Sequence, residues 1–168
     1  MPMSLIRHAG PGDLPAIVQI YNASIPGRLA TADTAPVSVA SREGWFAEFD
    51  PARRPLWVAT GATPERPVTG WLSLRSFYGR PAYHATVEVG VYTDPAAQRS
   101  GIGRALLAHA IAAAPGLGIR TLLGFIFGHN APSLALFEKA GFAAWGRLPA
   151  VAELDSVERD LVILGLRI

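Results

Sequence analysis

Cysteine is absent from the 168 residues, and lysine occurs once, at Lys139. The missing cysteines exclude a disulfide scaffold, a Cys-ligated zinc site and a thiol nucleophile together. The basic residues are fourteen arginines besides that lysine, and they are scattered, with Arg53-Arg54 the one adjacent pair. Fifteen basic against thirteen acidic residues leave a formal charge of +2, a weak field with no aromatic interleaving. Nucleic-acid binding is not expected from such a distribution, although arginine suits local recognition of phosphate or carboxylate. Long hydrophobic runs are also missing. The stretches Ala105–Ala114 and Leu122–Phe127 are too short or too broken to span a bilayer, so no membrane association is expected. No basic segment followed by an apolar run stands at Met1–Arg7, so the expected location is cytoplasmic. His8, His84, His109 and His129 lie far apart without a metal-ligand spacing, and His109 is expected on the surface of an Ala/Leu helix. A metal site is therefore not expected. No Gly-x-Ser-x-Gly elbow occurs, which argues against a hydrolase.

What is present describes a folded chain. Half the residues are hydrophobic (50%), 17% are charged and the mean hydropathy is +0.26, which excludes disorder and a coiled coil. The length suits one domain over residues 1–168, burying roughly 70% of the surface that the unfolded chain exposes.

Turn residues punctuate the chain at regular intervals. Leu5–Arg7 reads as a short strand, and Asp13 is an N-cap candidate before a helix with apolar Leu14, Ile17, Val18 and Tyr21. Pro26–Pro36 is a loop, and Ser41–Phe49 a short helix with Trp45, Phe46 and Phe49 on one face. Leu56–Thr60 and Thr69–Ser76 read as strands joined by a hairpin loop over Gly61–Pro67. Ala85–Tyr92 alternates cleanly through Val87, Val89 and Val91. Next come a helix at Gly101–Ala114, a buried strand at Thr121–Phe127 and a helix at Pro132–Ala140. Strands at Phe142–Leu148 and Asp160–Leu166 close the chain. Strands followed by a βαβα section predict a mixed-sheet α/β or α+β domain.

The sharpest local signal is Gln98-Arg99-Ser100-Gly101-Ile102-Gly103-Arg104, between a strand and a helix. Gly101 and Gly103 let backbone N–H groups converge, and a helix N-terminus adds about half a positive charge, so the turn can cradle a pyrophosphate. A plain glycine-softened turn is the competing reading. A Walker loop requires Gly-Lys-Ser/Thr where this chain has Gly103-Arg104-Ala105, and a dinucleotide fingerprint requires a small residue where it has Leu106.

The whole stretch Val91–Leu107, V-Y-T-D-P-A-A-Q-R-S-G-I-G-R-A-L-L, resembles the acetyl-CoA segment of the GCN5-related N-acetyltransferase (GNAT) superfamily. His129–Phe142, H-N-A-P-S-L-A-L-F-E-K-A-G-F, resembles its second motif. Ile20–Asn22 and Arg75–Tyr92 are similar to a narrower branch, the phosphinothricin and methionine-sulfoximine or sulfone N-acetyltransferases. The resemblance implies a mostly antiparallel central sheet flanked by helices and splayed at the acetyl-CoA site. It implies that Val91, Tyr92 and Thr93 lie along the pantetheine, that Arg99, Ser100, Gly101, Ile102, Gly103 and Arg104 take the pyrophosphate, and that Val89 offers an N–H to the thioester carbonyl. Asn130 and Ser133 match positions that touch the cofactor, with an N-cap pair opening the next helix as the alternative.

The branch also implies Glu88 as general base, since an amine carrying a proton must lose it before attack. Glu88 is the one acidic residue in an apolar strand; an ordinary exposed strand residue is the alternative. Arg75, Phe77 and Tyr78 match substrate positions, Arg75 as a bidentate carboxylate partner, and for Tyr83 and His84 the alternatives are lining that pocket and plain packing. The implied partner is a small amine, with a homodimer common in the branch. Other acceptors (a polyamine, an antibiotic amine, a protein terminus) and a CoA-binding sensor without turnover remain open. Three segments depart from the pattern. Phe137 stands where many relatives have Tyr to protonate the departing thiolate, Ala152–Arg159 is acidic where a Lys segment is common, and Ile25–Ala30 replaces the usual loop. Both altered segments are expected to flank the acceptor pocket.

Overall fold

The computed structural model describes residues 4–61 and 67–168. Its seven strands are β1 (Leu5–His8), β2 (Leu56–Thr60), β3 (Val68–Ser76), β4 (Thr86–Thr93), β5 (Thr121–Phe127), β6 (Ala143–Leu154) and β7 (Val157–Arg167). They form one sheet in the order β1-β2-β3-β4-β5-β7-β6. Every neighbouring pair is antiparallel except β4 and β5, which are parallel. The helices are α1 (Leu14–Ser24), α2 (Val39–Ala47), α3 (Ile102–Ala113) and α4 (Ala131–Lys139). This is the mixed sheet that the strand–helix order predicts, with the mostly antiparallel pairing that the resemblance implies. Among the described residues no helix is long and apolar enough to cross a membrane.

Two apolar layers sandwich the sheet. Leu72, Leu74, Val87, Val89, Leu122 and Leu164 face Leu106, Leu107 and Phe137 from α3 and α4. Ile17 and Ile20 of α1 pack with Leu56, Val58 and Trp71 on the opposite layer, joined by Trp45 and Phe46 of α2. Each such side chain contributes about 1.5–3 kcal/mol when fully buried, so the alternation of β4 directly selects its α3-facing side. Gly70 sets how closely α3 approaches, since a Cβ there would stand 2.9 Å from Cγ2 of Ile102 and 3.3 Å from Cδ1 of Leu106. The start of α3 therefore lies hard against the sheet.

Several local expectations change. Asp13 occupies the N-cap of α1, but its side chain turns back instead of capping the helix. Arg7 donates to both carboxylate oxygens (2.7 and 2.9 Å), and the Gly10 N–H donates at 2.7 Å. The α2 helix starts at Val39, two residues before the predicted Ser41, because the Ser38 hydroxyl accepts the Ser41 N–H at 3.1 Å and caps it. Of the hairpin loop read over Gly61–Pro67, residues 62–66 lie outside the described residues. The closing strands are longer than predicted. β6 runs on to Leu154 and β7 starts at Val157, joined through Asp155 and Ser156 at φ +53° and +64°. Two successive left-handed residues make the tight turn that suits twisted strands. The segment read as a separate acidic stretch is thus a hairpin tip. His109 is half-buried rather than on the surface, its ring edge-on to Trp57 at 4.9 Å, with His8 stacked on the same indole at 5.9 Å. Burial, reinforced by His8, lowers the His109 pKa.

Candidate active site

The parallel pairing of β4 with β5 covers Thr86–Thr121, Val87–Leu122 and Glu88–Leu123, and then ends. Both strands continue, β4 to Thr93 and β5 to Phe127. β3 holds the outer edge of β4 throughout, and β7 holds that of β5. Two facing strand edges therefore open from Glu88 onward. Which backbone groups face the gap follows from parity. The Asp94 N–H donates to the Thr69 carbonyl at 2.8 Å and the Phe77 N–H to the Thr86 carbonyl at 3.2 Å. Antiparallel bonds alternate every second residue, so Glu88, Gly90 and Tyr92 bond toward β3. Val89, Val91 and Thr93 turn their N–H and C=O groups into the gap.

The glycine turn closes the wide end. Gly101 is the N-cap of α3 at φ +83°, a conformation that favours glycine, and no side chain caps the helix. The first N–H groups of a helix have no partner within it, and the first turn of α3 carries no acid, so the N-terminus offers donors and positive potential to an anion. A Cβ on Gly103 would lie 3.7 Å from Cγ2 of Thr93, which puts this turn beside the end of the β4 edge. Arg99 and Arg104 are exposed around it, while the Ser100 hydroxyl donates to the Ala97 carbonyl.

A cavity of ≈ 180 Å³ opens on the other side of β4, under α1 and α2. Glu88 and Arg75 are direct cross-strand partners and both line it. The Glu88 carboxylate has no hydrogen bond or ion pair among the described residues. The one ion-pair partner of Arg75 among the described residues is Glu48, Nη2 to Oε2 3.9 Å, too far for a hydrogen bond. Gly90 keeps the floor open, since a Cβ there would come to 3.0 Å from the Ser73 hydroxyl. The wall beyond is aromatic: Trp71 stacks on Tyr92 at 4.7 Å, Tyr21 stands edge-on to Tyr92 at 5.2 Å, and Trp45 edge-on to Trp71 at 5.6 Å. The Tyr92 phenol donates to the Ala30 carbonyl at 3.2 Å, and burial, with Tyr21 beside it, pushes its pKa up.

Most of the predicted site residues therefore converge on β4. Val89, Val91, Thr93 and the Arg99–Arg104 turn line one side, and Glu88 and Arg75 the other. Three are placed differently from expectation. Tyr92, expected along the cofactor, turns its backbone to β3 and its ring into the cavity. Phe77 and Tyr78 do not line that cavity: Phe77 packs against Tyr78 at 4.3 Å, Tyr83 at 5.4 Å and Phe125 at 6.4 Å, and Tyr78 is 78% exposed. Asn130 caps α4, accepting the Ser133 N–H at 3.2 Å while donating to the Leu29 carbonyl at 3.1 Å. Of the altered segments, the 25–30 loop borders the cavity through Ala30 and Tyr92, and the hairpin tip reaches that loop through Arg28 Nε and Asp155 at 3.1 Å. Phe137 is buried with its ring over Gly124, where a Cβ would lie 2.7 Å from Cε1. Sequence reading missed Arg42, Trp45, Trp71, Ser73 and Gly90 as cavity residues. Their only local signals were an apolar helix face and strand alternation, which mark packing as readily as a site.

Comparison with known proteins decides the family. Residues 15–142 match the model of the acetyltransferase (GNAT) family. The chain belongs to that family. It is 50% identical over 165 residues to the Bacillus subtilis protein YwnH, provisionally called a phosphinothricin acetyltransferase, covering 98% of each chain. It is 31% identical over 163 residues to a Pseudomonas aeruginosa L-methionine sulfoximine/L-methionine sulfone acetyltransferase, covering 97% of this chain and 94% of the relative. The crystal structure of a Sinorhizobium meliloti GNAT phosphinothricin acetyltransferase in complex with acetyl-CoA superposes with a TM-score of 0.91 at 28% identity, covering 98% of this chain and 88% of the other.

Proposed function

We propose that this GNAT enzyme transfers the acetyl group of acetyl-CoA directly to the amine of a small amino-acid-like acceptor, of the phosphinothricin or methionine sulfoximine/sulfone type. One observation carries the reading: the strand pairing ends at Glu88, so a single residue borders both the open slot between β4 and β5 and the cavity under α1 and α2. The residues present fit acetyl-CoA. The uncapped N-terminus of α3 at Gly101 and the open backbone edge of Val89, Val91 and Thr93 supply donors for a pyrophosphate and an amide-bearing arm. In this reading residues Arg99–Arg104 hold the pyrophosphate, with Ser133 near the arm and Asn130 fixing the loop behind it.

Acetyl-CoA supplies an activated thioester. In the cavity, Arg75 orients the acceptor carboxylate and Glu88 takes the proton that the ammonium must lose, directly or through water. The Val89 N–H faces the carbonyl where negative charge develops. A new C–N bond forms as the C–S bond breaks, and no residue is covalently modified, in keeping with the absence of cysteine. Phe137 can donate no proton, so the leaving thiolate, with an ordinary thiol pKa near 8.5, takes one from water.

The same reading extends to one domain over residues 1–168, acting in the cytoplasm as a homodimer. Trp145 (49% exposed), Leu148, Val151 and Val157 on the β6–β7 hairpin form the apolar surface that a second copy would cover, and sedimentation would test it. The function itself is tested by following thiol release from acetyl-CoA with amino acids, methionine sulfone, phosphinothricin, polyamines and peptide amines. Turnover with the first three supports the reading. Turnover with polyamines or peptides alone overturns the acceptor class, and acetyl-CoA binding without turnover on any amine would make the protein a sensor.

A further inference from the structure

Arg42 lines the acceptor cavity although nothing in its local sequence marks it. From α2 its guanidinium carbon stands 5.3 Å from the centre of the Tyr21 ring, and its Nη2 donates to Asp33 Oδ2 at 3.1 Å. The same Asp33 oxygen accepts the Tyr21 phenol. One carboxylate thus holds both the guanidinium and the ring beneath it, which leaves the rest of the fork of donors in a set orientation.

Three of the other polar groups at this end of the cavity are engaged. The Tyr92 phenol donates to Ala30, the Tyr21 phenol to Asp33, and the Trp71 indole N–H to the Ile17 carbonyl at 3.1 Å. Arg42 is therefore the charged donor remaining on the aromatic wall. It differs from Arg75 in one respect. Asp33 partly neutralises and fixes Arg42, whereas Arg75 has no acid within hydrogen-bonding distance. A full carboxylate suits the second arginine, and oxygens sharing a partial or delocalised charge suit the first.

We propose that Arg42, oriented by Asp33, forms a subsite for a tetrahedral oxo group on the acceptor side chain, a sulfonyl, sulfoximine or phosphinyl centre. This rests on the proposed acceptor class and adds the residue that reads its side chain. Arg75 takes the carboxylate, Glu88 faces the amine, and two N–H groups of Arg42 meet the tetrahedral oxygens. A site built to hydrogen-bond such oxygens disfavours the analogue that lacks them, because the bound analogue would cover those donors without pairing them.

Methionine and methionine sulfone differ only by the two sulfonyl oxygens, so steady-state kinetics with both substrates isolates the contact. For Arg42→Gln the loss of kcat/KM on methionine sulfone should exceed that on methionine at least tenfold, with KM for acetyl-CoA little changed. Arg42→Lys keeps the charge but not the fork, and should shift the same ratio in the same direction by less. Asp33→Asn, which acts by positioning, should also lower the ratio, an effect that a purely structural role would not produce because both substrates would then suffer alike. Melting temperatures of the three variants report whether each folds. Parallel losses on both substrates, or no loss, overturn the subsite while leaving the acceptor class intact. If the wild-type protein acetylates neither amino acid but accepts other amines, the acceptor class falls and the subsite with it.

Discussion

The two sides of β4 present different atoms. On the gap side, Val89, Val91 and Thr93 present backbone N–H and C=O groups, and the Gly101 turn adds more N–H groups, so side-chain identity matters little there. On the cavity side, Glu88 and Tyr92 present side chains with a gap over Gly90, and Arg75, Ser73 and Trp71 answer from β3. A slot made of backbone admits one donor molecule and survives surface change. A cavity made of side chains can be rebuilt for a new acceptor by substituting a few residues, without touching the slot. In the proposed reaction, chemistry happens where the two meet, at Glu88.

The largest test of this contrast removes the residue that belongs to both sides. Glu88→Gln keeps size and most hydrogen bonding but not proton affinity, and kcat/KM should fall about 10²- to 10⁴-fold, the usual worth of a general base. The loss should shrink as pH rises, because more of the amine then arrives deprotonated, and a pH–rate profile of variant and wild type measures it. Near-full activity at pH 7 would assign proton removal elsewhere.

On the backbone side, Gly103→Val should weaken acetyl-CoA binding by roughly a hundredfold or more by blocking the approach to the α3 N-terminus. A Cβ there already lies 3.4 Å from Cδ2 of Leu136, so a small fall in melting temperature should accompany it. Calorimetry that finds unchanged affinity would break the comparison. On the side-chain side, Arg75→Ala should raise the acceptor KM about tenfold or more and leave KM for acetyl-CoA nearly unchanged, since a charge-assisted contact contributes roughly 1.5–3 kcal/mol. If both constants moved together, the two sides would not be separable.

The smallest effect lies away from both sides and serves as a control. The hydrogen bonds from Arg7, with help from the Gly10 N–H, hold the Asp13 carboxyl below its ordinary pKa. A depressed carboxylate stabilises the fold above its unfolded pKa of about 3.9 and loses that contribution as pH falls through the lower folded value. Asp13→Asn should therefore cost about 1–2 kcal/mol near neutral pH, and the difference from wild type should close on acidification below about pH 4. Denaturant melts at several pH values check it, and the kinetic constants should stay as they are.

Legibility in the sequence followed how local each feature is. The alternation of Val87, Val89 and Val91 carried β4 and its buried side, and Gly101 and Gly103 carried the turn, because strand period and left-handed φ are decided within a few residues. Glu88 stood out for the same reason, as a lone charge in an apolar strand. The β6–β7 hairpin is longer than the sequence pattern predicts because edge strand β6 and the start of β7 at Val157–Glu158 are exposed, and an exposed stretch has no alternation to show. Asp13 was assigned as a cap from its position, yet Arg7 and Gly10 bind it, a competition that position alone does not reveal.

The sequence by itself determined the order of elements, the glycine turn and the acid at the head of the slot, all set by short-range backbone preference and periodicity. Only the tertiary structure decided that the strand pairing stops at Glu88, that Tyr92 turns into the cavity and Phe77 away from it, and that Arg42 meets Tyr21 and Asp33 there. A cavity is the space left between side chains of elements distant along the chain. Its shape depends on how closely helices seat on the sheet, as Gly70 lets α3 do, and no residue encodes that distance alone.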